Sequence, residues 1–527
     1  MKKICFVIII LLAITFTSSA QNKGLNSINQ NDLKAYMSFF ASDELKGRET
    51  STPMNDAAAL YLKTNIMRFG LKPVPKTGDY YQPIPLVSVK IDRKGTSLKI
   101  NNDPGEVIFS TDSLLTLNPP SANEVVTGKL VFAGYGYENK DTGYNDFSDI
   151  DITDKIALIM TRNPDAVKSD SGTVVFDNNL ESIKLFSIIG KGPKAILYVY
   201  DPVNKSSDAY TSGLADQIQS DFLSLKDHPG FSIPMQISFI TQYTANALLK
   251  TTGSNLTQMQ EKITSTGNPV SAEIPDITVS VNTPFEKTDF ISSNVIGIVE
   301  GSDPVLRNEC VIYTAHFDHE GIDDKGEVFN GADDNASGSM ALLEVAEAFM
   351  KLKKKPLRTI VFAWVNGEEK GLLGSQYYTR NPVIPLEKTL VDINLDMVGR
   401  SKMPADTGKF YGYDLDVSQP NEIYVYTAHE SSQLLMMMII SALESNIDVI
   451  DMGRDLKFGS SDQASFIEKG VPAFLFHSGV HSDLHTTRDD VEKIDFNKME
   501  KVSKMVFLIG YKVANQRERI VIDNPDK

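Results

Sequence analysis

The sequence predicts an α/β layered fold with a largely parallel central sheet. From Asn294 onward, short apolar runs alternate with segments of helical apolar spacing, which is the pattern of a sheet covered by helices. Several of these runs stop at a side chain that can bind a metal ion, and ligands in such folds collect at the carboxyl ends of strands. A need for solubility does not explain why acids recur at the ends of buried strands. A buried carboxylate is costly unless it is paired, protonated or bound to a metal ion.

Length and composition indicate an acidic globular protein with more than one domain. The chain has 527 residues, 41% of them hydrophobic, and a formal net charge of −16. This negative charge argues against electrostatic binding of nucleic acid. Beyond residue 5 the only cysteine is Cys310, so the mature chain can form no internal disulfide and depends on packing for stability.

Residues 1–20 are interpreted as a secretory signal peptide. Two lysines precede an apolar run from Ile4 to Ile14, and small and polar residues lead to a cleavage site after Ala20. The apolar run is too short for a membrane span, and no later run is long enough for one. We therefore expect export to the periplasm or the extracellular space, without a membrane span.

Helices and short strands are predicted in the stretch 21–119. Asn31–Phe40 and Asn55–Phe69 have helical apolar spacing, and the polar segment between them, which contains ELKGRETSTPMN, is interpreted as a turn. Residues 80–118 alternate weakly and are typical of short strands.

A separate section is predicted from 120 to 268. It contains strands at 129–133, 155–160, 195–200 and 232–240, helices at 179–189 and 244–250, and a polar stretch, Ser254–Gly267, that is interpreted as a linker. Because His, Cys and paired carboxylates do not cluster in this section, we expect no catalytic chemistry there.

The section 269–527 carries the predicted chemistry. Its predicted helices are Ser337–Leu352, Ser432–Glu444 and Met499–Ala514, and strands at 423–426 and 473–476 add to the apolar runs. Imidazoles and carboxylates near the strand ends, without thiolates, suit zinc. The candidate ligands are His316, Asp334, Glu369, Asp396 and His485.

Five candidate ligands exceed the three protein ligands that one catalytic zinc needs. Two zinc ions sharing one carboxylate would use them all. Asp318 is placed to orient His316 as a hydrogen-bonding partner, and Asp333 is expected to be a hydrogen-bonding loop residue. Glu368, beside a ligand but not needed as one, is a candidate general base.

These motifs resemble a known family. HFD, GADDNASG, EEKGLLGS, INLDMVG and LHTTRD are similar, in order, to the motifs of the secreted two-zinc aminopeptidases. That family also contains glutamate carboxypeptidase, the transferrin receptor and the single-zinc glutaminyl cyclases. The resemblance implies a three-layer zinc-peptidase domain formed by 21–119 and 269–527. It also implies that 120–268 is an inserted, β-rich α+β protease-associated (PA) domain.

The resemblance also implies a role for each candidate residue. His316 and Asp396 would bind one zinc, Glu369 and His485 the other, and Asp334 would bridge the two. Glu368 would be the catalytic base of an aminopeptidase that removes N-terminal residues from peptides.

The chain departs from the family at Leu484, where many members have a tyrosine that stabilises the oxyanion. Three alternatives to an aminopeptidase remain, namely a carboxypeptidase or dipeptidase, a glutaminyl-peptide cyclotransferase and a non-enzymatic receptor-like protein. A carboxypeptidase needs a basic cluster, for which Arg400 and Arg454 are loose candidates. The full set of five ligands argues against the cyclase and the receptor-like protein.

Overall fold

The computed structural model describes residues 23–101, 107–110, 114–116, 124–165, 178–203, 221–228, 235–323, 325–410, 413–426, 431–453 and 461–523. These residues form two compact units. The first combines the chain up to Leu86 with the chain from Phe290 onward, and the second is Val87–Asp289. The predicted signal peptide, 1–20, lies outside the described residues. None of the helices in the described ranges has the length and apolar character needed to cross a membrane.

The strands of the described residues follow in chain order. They are β1 (Tyr81–Ile91), β2 (Ser97–Ile100), β3 (Val107–Phe109), β4 (Leu114–Thr116), β5 (Val126–Phe132), β6 (Glu138–Asn139), β7 (Tyr144–Asn145), β8 (Ile156–Met160), β9 (Ala195–Val199), β10 (Asp221–Leu225), β11 (Gln236–Ile240), β12 (Ala272–Asn282), β13 (Phe285–Val299), β14 (Cys310–His316), β15 (Thr359–Val365), β16 (Thr389–Leu395), β17 (Lys409–Phe410), β18 (Tyr413–Asp414), β19 (Asp416–Val417), β20 (Glu422–Tyr426), β21 (Asp448–Gly453), β22 (Ala473–His477) and β23 (Gly479–Val480).

The α-helices are α1 (Gln30–Phe40), α2 (Pro53–Phe69), α3 (Asn178–Ile189), α4 (Gln242–Leu249), α5 (Leu256–Thr266), α6 (Gly338–Met350), α7 (Leu373–Arg380), α8 (Ser432–Ser445), α9 (Gln463–Ile467) and α10 (Phe496–Asn515).

The first unit is built on a mixed sheet with the strand order β1-β13-β15-β14-β16-β22-β20-β21. Neighbours among β15, β14, β16 and β22 are parallel. β13 is antiparallel to β15, and β20 is antiparallel to β22. The predicted mixed, largely parallel sheet is therefore confirmed. Because His316 pairs with Val365 across β14 and β15, the residues that follow these strands lie side by side at one end of the sheet.

Helices cover both faces of this sheet. Tyr313 and Ala315 of β14 pack into an apolar core with α1, α2, α6, α8 and α10. Cys310 and Ile312 point to the opposite face, where α7 and α9 pack. Both faces of the strand are thus buried, which explains its continuous apolar sequence. The first unit has the predicted three layers.

The second unit contains a separate sheet, with the order β3-β2-β12-β5-β8-β9-β11-β4 among its described strands. Its central strands β5, β8, β9 and β11 are parallel neighbours. Since β2, β3, β4 and β12 belong to the same sheet, the unit extends beyond the predicted limits of 120 and 268 on both sides. Its assignment as a PA domain remains a prediction.

The predicted linker at Ser254–Gly267 is wrong, because this stretch contains α5. Asn255 caps the helix and forms a capping box with Gln258. Leu256, Met259 and Ile263 bury one face of α5 in the core of the second unit. The three apolar residues at helical spacing were sufficient for a helix because tertiary packing stabilises that face.

Candidate metal centre

The five predicted ligands lie together at the carboxyl end of the sheet in the first unit. Their positions are His316 at the end of β14, Glu369 after β15, Asp396 after β16, Asp334 in the turn before α6, and His485 in the loop after β23. His316, Asp334 and Asp396 are buried, and their ligand atoms lie within 4.8 Å of one another. The side chain of His485 is 34% exposed, so this side of the site is open to solvent.

Asp334 lies between the two histidines. Its Oδ1 is 3.4 Å from His316 Nε2, and its Oδ2 is 3.1 Å from His485 Nε2. On one side, His316 Nε2 is also 3.3 Å from Asp396 Oδ1. On the other, His485 Nε2 is 3.4 Å from Glu369 Oε2. The residues therefore form two sets that share one carboxylate.

These distances fit zinc ligands. Ligand atoms bound about 2.0–2.1 Å from one tetrahedral zinc ion lie about 3.3 Å apart. The surrounding charge also favours a cation. Burial alone would lower the pKa of His485, but Glu369 and Asp334 raise it to about 10. Asp396 and other carboxylates likewise raise the pKa of His316 well above its usual value against the effect of burial. The nitrogen and oxygen donors are those that zinc prefers.

Glu368 lies in the turn that follows β15. Gly367 has a φ of +80°, which favours glycine and lets the chain turn directly after the strand. Glu368 is partly exposed, and one of its oxygens lies within 4.8 Å of ligand atoms of His316 and Glu369. Burial, together with the charges of Glu369 and Asp396, raises the pKa of Glu368 well above its usual value. Its carboxyl group is thus placed to exchange protons beside both histidine-containing sets.

Asp318 holds the backbone of the two adjacent glutamates. Its Oδ1 accepts a hydrogen bond from the Glu368 N–H at 3.2 Å, and its Oδ2 accepts one from the Glu369 N–H at 3.3 Å. Thr50 Oγ1 also donates to Oδ2, at 3.0 Å. His316 Nδ1 is nearer to the backbone carbonyl of Asp318, at 3.3 Å, than to its carboxylate, at 3.8 Å. Asp318 therefore positions the backbone of both Glu368, the predicted base, and Glu369, a predicted ligand.

The turn that carries Asp334 is held by hydrogen bonds to a residue of the LHTTRDD segment. Asp489 Oδ2 accepts hydrogen bonds from the N–H groups of Asp333 and Asp334 at 2.9 and 3.0 Å. Asp333 Oδ1 accepts from the Gly399 N–H at 2.7 Å, and its Oδ2 lies 3.4 Å from His481 Nε2. Asp333 is thus engaged within the loops, as expected for a hydrogen-bonding loop residue.

His319 has a contact that sequence reasoning did not assign. Its ring is fully buried, and its Nδ1 lies 2.8 Å from Glu369 Oε1 and 3.7 Å from Asp334 Oδ2. Burial lowers the pKa of His319 to about 4, and the ring nitrogen Nδ1 faces Glu369 Oε1 at 2.8 Å. This distance is that of a hydrogen bond and orients the Glu369 carboxylate. The only sequence signal was its place in HFDH, three residues after His316.

Arg48 is a second residue that sequence reasoning missed. Its segment was interpreted as a polar turn, yet its guanidinium is fully buried. It donates to the backbone carbonyls of Phe40, Phe317, Asn330 and Gly331 at 2.7–3.1 Å. Arg48 therefore joins the segment after α1 to the loops on either side of the site.

Two further positions complete the surroundings. Leu484 packs with Met397 and Val480 in a small apolar cluster, so it supplies no hydrogen bond in place of the family's tyrosine. Asp462 is fully buried, and burial raises its pKa to about 7, against the effect of His316.

Part of the chain is similar in sequence to known peptidases. Residues 294–509 match the model of a family described as Peptidase family M28. A probable leucine aminopeptidase from Arthroderma benhamiae is 30% identical over 237 residues, which cover 43% of this chain and 59% of the relative. Leucine aminopeptidase 1 from Trichophyton rubrum is 28% identical over 229 residues, which cover 41% and 57%. The chain thus spans about three fifths of the length of these relatives.

Two solved structures share the fold over nearly the whole chain. An aminopeptidase from Aneurinibacillus sp. strain AM-1 has a TM-score of 0.57 at 21% identity and covers 96% of this chain and 98% of its own. A zinc aminopeptidase from Bacillus subtilis has a TM-score of 0.51 at 20% identity and covers 94% and 98%. At such identities, the likeness concerns the fold.

Proposed function

We propose that this chain, whose residues 294–509 match the model of peptidase family M28, is an exported zinc-dependent aminopeptidase. The observation that carries the proposal is the position of Asp334, whose two oxygens each face a different histidine. One carboxylate can therefore serve two ligand sets. The names of the relatives, which are leucine aminopeptidases, support hydrolysis at the N-terminus of peptides.

Two zinc ions per chain would occupy the two sets. His316 and Asp396 would hold one ion, Glu369 and His485 the other, and Asp334 would bridge them. Bound zinc supplies a Lewis acid that polarises the peptide carbonyl and lowers the pKa of water. His319 orients Glu369 through its hydrogen bond of 2.8 Å.

Glu368 is the proposed general base. It accepts a proton from water as the water oxygen attacks the carbonyl carbon of the peptide bond. When the C–N bond breaks, Glu368 delivers that proton to the leaving nitrogen. Asp318 positions Glu368 for both transfers by accepting its backbone N–H.

Hydrolysis at the N-terminus is favoured over hydrolysis at the C-terminus by the charges around the site. A carboxypeptidase needs a free cation to bind the substrate carboxylate. Arg400 is fully buried and donates to Asp483 at 3.1 Å, so it is not free for this role. Arg454, the other candidate, lies outside the described residues. The acidic site instead suits a free N-terminal amine, placed beside His316 and Asp396.

Paired variants of the adjacent glutamates test this proposal. Glu368→Gln retains the shape but cannot accept a proton, so kcat should fall by about 10²–10⁴ while zinc content and KM change little. Glu369→Ala should lower both zinc content and activity, because it removes a ligand. Glu468→Gln, an exposed acid beside Lys469, is the matched control. The measurements are kcat and KM on an aminoacyl substrate and its N-blocked counterpart, with zinc analysis of each sample. Near-normal kcat in zinc-loaded Glu368→Gln would refute the mechanism, and equal cleavage of the N-blocked substrate would refute the aminopeptidase assignment.

A further inference from the structure

We propose a separate Ca²⁺ site between α1 and α6 of the first unit, distinct from the candidate metal centre. Asp32 of α1 and Glu344 and Glu347 of α6 offer carboxylate oxygens that lie within 4.8 Å of one another. Glu344 and Glu347 are three residues apart on one helix, so their side chains share a face. Asp32, in the first turn of α1, completes the group from the neighbouring helix.

Glu344 supplies independent support for a bound ion. It is only 1% exposed, although it is an acid in the middle of a helix. Its Oε1 accepts a hydrogen bond from the Asn29 N–H at 3.0 Å, but its Oε2 is buried and has no hydrogen-bond partner among the residues that the structure describes. A buried, unpartnered carboxylate oxygen is costly, so this atom needs either a proton or a cation. Burial and the charges of Asp32 and Glu347 raise the pKa of Glu344 to about 8, because an ionised carboxylate without a cation is unfavourable at this position.

The neighbouring groups favour a cation over a proton. Lys351 Nζ is 3.0 Å from Glu347 Oε1, and the Tyr36 hydroxyl donates to Glu347 Oε2 at 3.5 Å. Asn29 Nδ2 donates to Asp32 Oδ2 at 2.7 Å. Within the described ranges, Lys351 is the one cation in ion-pair contact with the three acids, and a proton on Glu344 would relieve only one of the negative charges. A divalent cation would offset the remaining charge and give Glu344 Oε2 a partner.

The chemistry of the group selects the ion. All three side chains offer oxygen and none offers nitrogen or sulfur, which suits a hard cation. Ca²⁺ fits better than Mg²⁺ because it accepts irregular sets of carboxylates and completes its coordination with water. Such an ion would join the N-terminal helix to α6, which begins directly after the turn carrying Asp334. We therefore expect it to stabilise the fold around the metal centre without entering the reaction.

The test uses the full-length, zinc-loaded protein with the zinc concentration held constant. Ca²⁺ is titrated while the Tm and the heat of binding are measured. At Ca²⁺ about 100-fold above its Kd, the Tm of the wild type should rise by about 5 °C. Glu344→Gln should lose this response because it removes the buried charge. Glu444→Gln, an exposed acid on α8, should retain it.

Two results would overturn the proposal. If Ca²⁺ does not raise the Tm of the wild type, the proposed ion site is refuted, and a Glu344→Gln variant as stable as the wild type would show that Glu344 is simply protonated. If Ca²⁺ stabilises Glu344→Gln as strongly as the wild type, the ion binds elsewhere. Should Glu344→Gln fail to fold, Asp32→Asn at the more accessible end of the group decides the matter. Its Ca²⁺ affinity should fall at least tenfold, and unchanged affinity would refute the site. Because the readout is stability and not hydrolysis, the outcome is independent of the proposed peptidase activity.

Discussion

Replacing Asp318 with asparagine tests how the loops position the proposed base. The wild-type carboxylate accepts hydrogen bonds from the backbone N–H groups of Glu368 and Glu369 at 3.2 and 3.3 Å. Asparagine has nearly the same shape but only one acceptor oxygen. Its NH₂ group would face one of those backbone N–H groups, so one hydrogen bond to a charged acceptor is lost. The two glutamates would then no longer be held in register with His316.

The structure sets the expected size of the effect. A hydrogen bond to a charged group contributes about 1.5–3 kcal/mol. If this loss is expressed in the transition state, kcat/KM should fall by about 10–100-fold, which is also the usual cost of removing a residue that orients a metal ligand. Zinc content should fall less than in Glu369→Ala, because all five candidate ligands remain.

The assay measures kcat, KM, zinc content and Tm for Asp318→Asn beside a Thr50→Val control. Thr50→Val removes the hydroxyl that donates to Asp318 Oδ2 at 3.0 Å but leaves both backbone hydrogen bonds in place. This hydrogen bond also has a charged acceptor and contributes about 1.5–3 kcal/mol. Because both backbone hydrogen bonds to the glutamates remain, its loss should lower the Tm more than it lowers kcat/KM. If Asp318→Asn keeps kcat/KM within twofold of the wild type, or if Thr50→Val is equally damaging, Asp318 does not position the glutamates as argued.

Three further predictions concern the two units and the thiol. Arg48→Met should lower the free energy of unfolding by about 3–5 kcal/mol, because four buried carbonyl contacts lose their donor; a urea melt that differs by less than about 1 kcal/mol would contradict this. Arg162→Met should lower the free energy of unfolding of the second unit by about 3–5 kcal/mol, because buried Asp201 loses its bidentate arginine partner at 2.7 and 2.8 Å. Zinc content measured on the same sample should stay unchanged. Cys310 is fully buried and burial raises its pKa to about 12, so a thiol reagent at neutral pH should label it only after denaturant is added, and rapid labelling of the native protein would refute its burial.

The local sequence was informative wherever a residue follows a buried strand. β14 and β15 appear as largely apolar runs because both faces are buried, and β16 is a buried strand that also contains Asp392 and Asn394. His316, Glu369 and Asp396 lie at or shortly after the ends of these three strands. Parallel pairing then necessarily brings them to the same end of the sheet. His485 follows no such run, and its place in the candidate set came from the resemblance and from the clustering of histidines.

The prediction from local sequence was wrong where a weak helical pattern is stabilised by tertiary packing. The stretch Ser254–Gly267 is polar on average, yet three apolar residues at helical spacing were sufficient for α5 once the sheet of the second unit was present. The limits of that unit were also not visible locally. β2 and β12 are far apart in sequence but pair within one sheet, since Val279 pairs with Ile100, which lies 179 residues earlier.

The residue pattern alone predicts the fold class of the first unit and places His316, Glu369 and Asp396 at the end of its sheet. The contacts that hold these residues in place follow from packing instead. Arg48 donates to the carbonyl of Asn330 from 282 residues away, and Asp489 reaches the N–H of Asp334 from 155 residues away. Such contacts form because the packed sheet and helices bring distant loops close together. No periodicity or spacing near either residue encodes them, because a hydrogen bond selects its partner by distance in space and not by position along the chain.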